Sequence, residues 1–137
     1  MHRSVVAAAL GVMLLVLAGP ARVWADQFDV GLDATASGAT GVAAASLTVP
    51  MTVANNLNRF LIVGVAIGDN VATTFVSSVT YGGVPLMFLG RQKDAAATRQ
   101  VEIWALVAPP SGANNIVVTL PTGTTASIGV AAASYGN

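Results

Sequence analysis

The chain has no cysteine, and its one histidine is His2, at the very start. Without thiols there is no disulfide, no Cys–His nucleophile pair and no cysteine to carry a lipid anchor. Without an imidazole beyond His2 there is no Ser-His-Asp constellation, and zinc, copper and haem sites of ordinary ligation are removed as well. Charge is also scarce: Asp, Glu, Lys and Arg make up 9% of the residues. Beyond residue 25 the basic residues are Arg59, Arg91, Lys93 and Arg99, against Asp26, Asp29, Asp33, Asp69, Asp94 and Glu102, a net charge near −2. No basic patch exists to release counterions from nucleic acid or to hold an anionic membrane surface, so neither is expected as a partner. No Gly-rich loop joins a strand to a helix in the manner of a phosphate cradle, and no Asn-x-Ser/Thr sequon occurs. No cofactor is expected.

What is present begins with a leader. Met1, His2 and Arg3 form a short basic start, and Ser4 to Ala18 is an almost unbroken apolar run. Gly19 and Pro20 break it, and Val23 and Ala25 place small residues at −3 and −1 before Asp26. This is the three-part pattern of a secretory signal peptide over residues 1–25. The run is shorter than the ~20 apolar residues of a spanning helix, so no membrane insertion is expected after cleavage. Removing residues 1–25 from 137 leaves 112, enough for one domain. An exported domain of that size without disulfides must be held by apolar burial and the strand hydrogen-bond ladder. The lack of cysteine also favours a bacterial origin over a small secreted eukaryotic domain.

Past the leader, no stretch of ten or more residues keeps apolar side chains at helical spacing. Short runs rich in Val, Ile, Thr and Phe alternate instead with clusters of Gly, Pro, Asn and Ser, the rhythm of a sandwich or barrel. Strands are predicted at Phe28–Leu32, Ser46–Val53, Phe60–Ile67, Phe75–Tyr81, Leu86–Arg91, Arg99–Val107, Ile116–Leu120 and Ser127–Tyr135. Strands without intervening helices point to an all-β antiparallel sandwich, immunoglobulin-like or jelly-roll-like, preceded by a signal-peptide helix. Gly82-Gly83 suits a tight hairpin, and Pro85 just after it suits an edge strand. Phe60–Ile67 is apolar on both faces, which predicts a central strand buried on both sides. The small-residue stretch within 26–45 is a linker or a weak edge strand, with Ala34–Ala45 taken as loop. The sandwich domain then occupies 46–137. The chain stops at Gly136-Asn137 directly after a strand, which reads as a truncated gene or the first module of something longer.

Three segments, spaced in this order, carry a likeness. They are Val79-Thr80-Tyr81-Gly82-Gly83-Val84-Pro85-Leu86, then Val101-Glu102-Ile103-Trp104-Ala105-Leu106-Val107-Ala108-Pro109-Pro110-Ser111-Gly112, then Ile116-Val117-Val118-Thr119-Leu120. With Asn58-Arg59-Phe60-Leu61-Ile62-Val63 before them, they resemble a β-sandwich module of bacterial secreted and surface proteins, often found beside lectin-like or fibronectin-like modules. The resemblance implies exported modular architecture and nothing catalytic.

Little site chemistry remains. A paired-carboxylate mechanism needs two acids ~5–10 Å apart; the available ones are Asp69, Asp94 and Glu102. Asp69 sits in a turn sequence and Asp94 in a solvated loop. Glu102 interrupts an apolar strand, so its carboxylate needs a partner, with Arg59 or Arg99 to supply it, or else an exposed position. It is foremost a structural residue and secondarily a ligand contact. Calcium is the one metal the residues permit, through Asp29, Asp33, Asp69 and Asn70, of which Asp69 and Asn70 are the weak candidates carried forward. Among aromatics, Trp104 shares its strand face with Glu102 and Leu106 and reads as core. Tyr81 borders the Gly-Gly turn, with its ring packed across the hairpin and its hydroxyl wet.

These readings make the chain a non-enzymatic, secreted, extracellular or cell-surface module with a structural, adhesive or spacer role. The alternative is a carbohydrate-binding module using Trp104, Tyr81 and Glu102 on an extracellular glycan. A third is a subunit of a surface assembly that meets a neighbouring surface protein through exposed sheet edges. N-terminal sequencing of the exported protein is expected to start at Asp26; a released form that retains Met1 would refute cleavage after Ala25.

Overall fold

The structure, a computed structural model, describes residues 29–68 and 74–137. The signal peptide read over 1–25 and the predicted strand start at Phe28 lie outside the described residues. Nine strands form: β1 (Gly31–Ala39), β2 (Ser46–Val53), β3 (Phe60–Gly68), β4 (Ser78–Tyr81), β5 (Val84–Pro85), β6 (Met87–Lys93), β7 (Arg99–Val107), β8 (Gly112–Thr119) and β9 (Ser127–Gly136). They build a five-stranded sheet in the order β1-β9-β3-β7-β6 and a four-stranded sheet in the order β2-β8-β4-β5. All paired neighbours are antiparallel. The chain is an all-β sandwich, the fold class expected. The pairs β1·β9, β2·β8, β3·β7 and β4·β5 are nested one inside the next, as in a long hairpin rolled up across two sheets. That is the winding of a jelly roll, the second of the two forms anticipated, with β6 added at one edge.

Alternation decides which side of each strand enters the core. On β2, Val49, Met51 and Val53 are buried while Thr48, Pro50 and Thr52 are exposed. Pro50 is tolerated inside this strand because β2 is an edge, where a missing N–H breaks no ladder bond. On β3, Leu61, Val63, Val65 and Ile67 are at most 1% exposed. One apolar core joins both sheets, with these four residues packed in a cluster that includes Val49, Val53, Val79, Tyr81, Ile116, Val118, Ile128 and Val130. β3 is central in its sheet, as expected, but the expectation that both its faces are covered is not met. Phe60, Ile62 and Gly64 are only half-buried and Ala66 is exposed, because among the described residues no layer lies over the outer side of this sheet.

Two further readings need correction. The stretch Ala34–Ala45, taken as loop, is strand as far as Ala39 and pairs along β9 from Gly31↔Gly136 to Ala39↔Gly129. Its small residues are there for closeness: a Cβ on Gly38 would stand 2.8 Å from Val49 Cγ2 across the sandwich. The strand predicted at Phe75–Tyr81 begins only at Ser78, whereas the one predicted at Leu86–Arg91 forms as β6. β5 belongs to the four-stranded sheet and β6 to the five-stranded one, and the chain changes sheets at Leu86, which is buried and donates its N–H to Val79 O at 2.9 Å. The Gly82-Gly83 turn forms as expected, with φ of 56° and 81°, both in the left-handed region that glycine adopts without strain.

Leu61→Ala, at the centre of the covered face, is expected to lower unfolding stability by about 2–5 kcal/mol. Leu57→Ala, at a residue 75% exposed, is expected to stay within about 0.5 kcal/mol. Urea titration of both variants checks the contrast, and equal effects would contradict the core described above.

Candidate functional site

Glu102 organises the most polar part of the interior. It lies on β7, on the inner face with Gln100 and Trp104, because residues two apart on a strand point the same way. The carboxylate is fully buried. Oε1 accepts hydrogen bonds from the Val76 backbone N–H at 3.1 Å and from Gln100 Nε2 at 2.5 Å, and Oε2 accepts from Trp104 Nε1 at 3.1 Å. Arg91 Nε stands 3.7 Å from Oε1. The ion-pair partner is thus Arg91, not Arg59 or Arg99. Register explains the choice: Arg91 is directly opposite Glu102 in the β6·β7 ladder, while Arg99 points to the other side of β7. Arg59 is engaged elsewhere, donating from Nε to Pro109 O at 2.9 Å and from a terminal nitrogen to Asn56 O.

Around this carboxylate the aromatic rings close ranks. Phe88 meets Trp104 edge to face, with ring centroids 5.2 Å apart. The Arg91 guanidinium lies over both Phe88, at 5.1 Å, and Phe75, at 5.5 Å. Cation–π attraction of this kind contributes about 0.5–1 kcal/mol at exposed positions. Trp104 is 8% exposed, so its ring is core, as read from the sequence. Gln100 is buried too, and its Oε1 has no protein hydrogen-bond partner among the described residues.

Tyr81 is not part of this group. It lies on β4 in the opposite sheet, fully buried, and the expectation of a wet hydroxyl is wrong. The hydroxyl stands 3.3 Å from Met51 O and 3.1 Å from Gly112 O, donating to carbonyls of β2 and β8. Its reach across the sheet ends, invisible from the neighbouring glycines, seals that corner of the sandwich. The structure therefore brings Glu102 and Trp104 together and leaves Tyr81 apart. Arg91, Phe75 and Phe88 complete the cluster, and sequence reasoning missed them as partners. Their signal, an arginine on β6 set between Phe88 of the same strand and Phe75 from the segment before β4, becomes readable only once the strand register is known.

Of the weak calcium candidates, Asp69 and Asn70 lie outside the described residues. Asp33 is committed to structure, its Oδ2 accepting from Ala54 N–H and Ser134 Oγ–H, each at 2.9 Å. Among the described residues no three His, Cys, Asp or Glu side chains gather where a metal could be held. Asp94, exposed in the β6–β7 loop, accepts from the Thr98 hydroxyl and N–H, each at 2.7 Å, and from Arg99 N–H at 3.1 Å. The Thr98 hydroxyl foremost, then the Arg99 N–H, hold its carboxyl below the ordinary value. That makes it a loop clamp. No family model matches this chain, and no curated protein and no solved structure matches it either.

Glu102→Ala would orphan the Val76, Gln100 and Trp104 donors together, and is expected to destabilise the protein by about 3–5 kcal/mol. Arg91→Ala, at a side chain 38% exposed, should cost no more than about 1 kcal/mol. Denaturant unfolding of the two variants tests the ranking; a larger loss from Arg91→Ala would show that the ion pair, not the N–H donors, holds the carboxylate.

Proposed function

We propose that this chain is a non-catalytic module of an exported or cell-surface protein, with a structural, adhesive or spacer role. The observation that carries the reading is the state of Glu102. The one carboxylate buried in the described core is spent on three internal N–H donors and an arginine, with no face turned to a substrate. An acid–base group needs to reach a reacting proton, and this one is walled in by Val76, Phe88 and Trp104. The segments that resemble a bacterial surface module fall on the β4–β5 hairpin, on β7 and on β8, and they supply the frame of both sheets. The leader pattern supports export.

A carbohydrate-binding role draws less support. Sugar stacking needs a flat ring open to solvent, but the Trp104 and Tyr81 rings are buried, and the faces of Phe75 and Phe88 are met by Arg91. The exported protein is expected to bind no member of a glycan array at millimolar sugar and to turn over no glycan, ester or peptide. Turnover at enzyme-like rates would overturn the non-catalytic reading. Glycan binding that disappears in a folded Trp104→Ala variant would replace it with the carbohydrate module.

A further inference from the structure

Antiparallel sheets that face water on one side normally alternate apolar and polar residues, with the polar set outward. The five-stranded sheet departs from this. Its inner set is mostly apolar, with Gln100, Glu102 and Ser134 as buried exceptions, and its outer set is nearly free of charge. Outward on β7 are Val101, Ile103, Ala105 and Val107; on β3, Phe60, Ile62, Gly64 and Ala66; on β9, Gly129, Ala131, Ala133 and Tyr135. Met87, Gly90 and the uncharged Gln92 on β6 and Leu32, Thr35, Ser37 and Ala39 on β1 extend the same face. Arg99, at one end of β7, is its only charged side chain among the described residues. Val101 is 49% exposed, Ile103 36%, Met87 63% and Val107 72%.

The relief of this face has two parts. Val101, Ile103 and Val107 stand up along β7 as a ridge. Beside it, Gly64, Ala66, Gly129 and Ala131 leave the middle of the sheet low, in an open groove of about 330 Å³ that Val101 borders. Ridge and groove run side by side on neighbouring antiparallel strands. A second copy rotated by a twofold axis would lay its ridge along the first copy's groove and receive the first copy's ridge in its own. Five strands spaced ~4.8 Å and nine residues of ~3.3 Å give a face of about 700 Å² per copy, or about 1,400 Å² for two. That lies within the ~1,200–2,000 Å² of stable interfaces. A face with one peripheral charge meets its own copy without repulsion, whereas it offers nothing to select a charged partner.

We propose that the outer face of the five-stranded sheet is a docking surface for a second copy of this chain, sheet against sheet, with the β7 ridge of each copy seated over the β3–β9 groove of the other. This deepens the reading of the chain as a non-catalytic surface module and rests on it. It places association on a sheet face rather than on the strand edges.

The test is sedimentation velocity of the chain expressed from Met1 and purified as the cell releases it, from about 1 to 200 µM. The expected result is a reversible dimer that dissociates on dilution. Val101→Lys, at an exposed position that leaves the core untouched, should weaken association at least about 100-fold, because it would bury an unpaired charge. Val101→Ile should preserve it. Val84→Lys, on the edge strand of the other sheet, should have no effect. Circular dichroism and thermal melting of each variant separate lost association from lost folding. A monomer at the highest concentration overturns the proposal, whatever else covers the face. So does association that Val84→Lys abolishes and Val101→Lys does not. A monomer leaves the non-catalytic reading standing, and turnover by a dimer would overturn that reading while leaving the docking face intact.

Discussion

Leu61, Val63, Val65 and Ile67 project from one side of β3 into the space between the two sheets, and the rest of the molecule is arranged to keep them there. With no sulfur bridge in the chain, this apolar layer is the main term opposing the entropy of ordering it. Burying one such side chain contributes about 1.5–3 kcal/mol, so a row of four on the central strand matters against a typical total stability of ~5–15 kcal/mol. The polar features of the interior are subordinate to that layer. Tyr81 reaches the carbonyls of Met51 and Gly112 from inside it, and Glu102 gathers its donors at its margin.

The Glu102 cluster shows what keeps a carboxylate inside a sandwich. Burial of an ion is costly, and one arginine at the margin does not offset it alone. The carboxylate is held because β7 points Gln100 and Trp104 to the same side, and because the segment before β4 brings the Val76 N–H over it. The group ties β7 to the approach of β4, one sheet to the other.

Much of the fold was legible because alternation and turn chemistry are local. Ser46–Val53 was readable to the residue from Val49, Met51 and Val53 recurring at every second position, and Gly82-Gly83 announced its hairpin. What escaped was everything whose cause lies far away in the chain. Beyond Leu32 and Asp33, β1 is made of Ala, Ser, Thr and Gly, which carry no pattern of their own; it is a strand because β9, about a hundred residues later, offers it a ladder. The change of sheet at Leu86 depends on β4 and β7 already being in place. At the site, Trp104 as core and the need of Glu102 for an arginine partner were readable from their strand, but the arginine was misassigned because a bulge near Leu89 sets the β6·β7 register. The two-sided apolar character of Phe60–Ile67 was read correctly as composition and wrongly as burial, since the outer face has no layer above it among the described residues.

The nesting of the pairs has a bearing on the order of events in the cell. β9 lies between β1 and β3, so the first strand to be synthesised finds its neighbour only when the last one has arrived. No early subset of strands can complete the larger sheet, and contacts so distant along the chain make for slow closure. The larger sheet is therefore the late event of folding, closed by the arrival of β9 between β1 and β3.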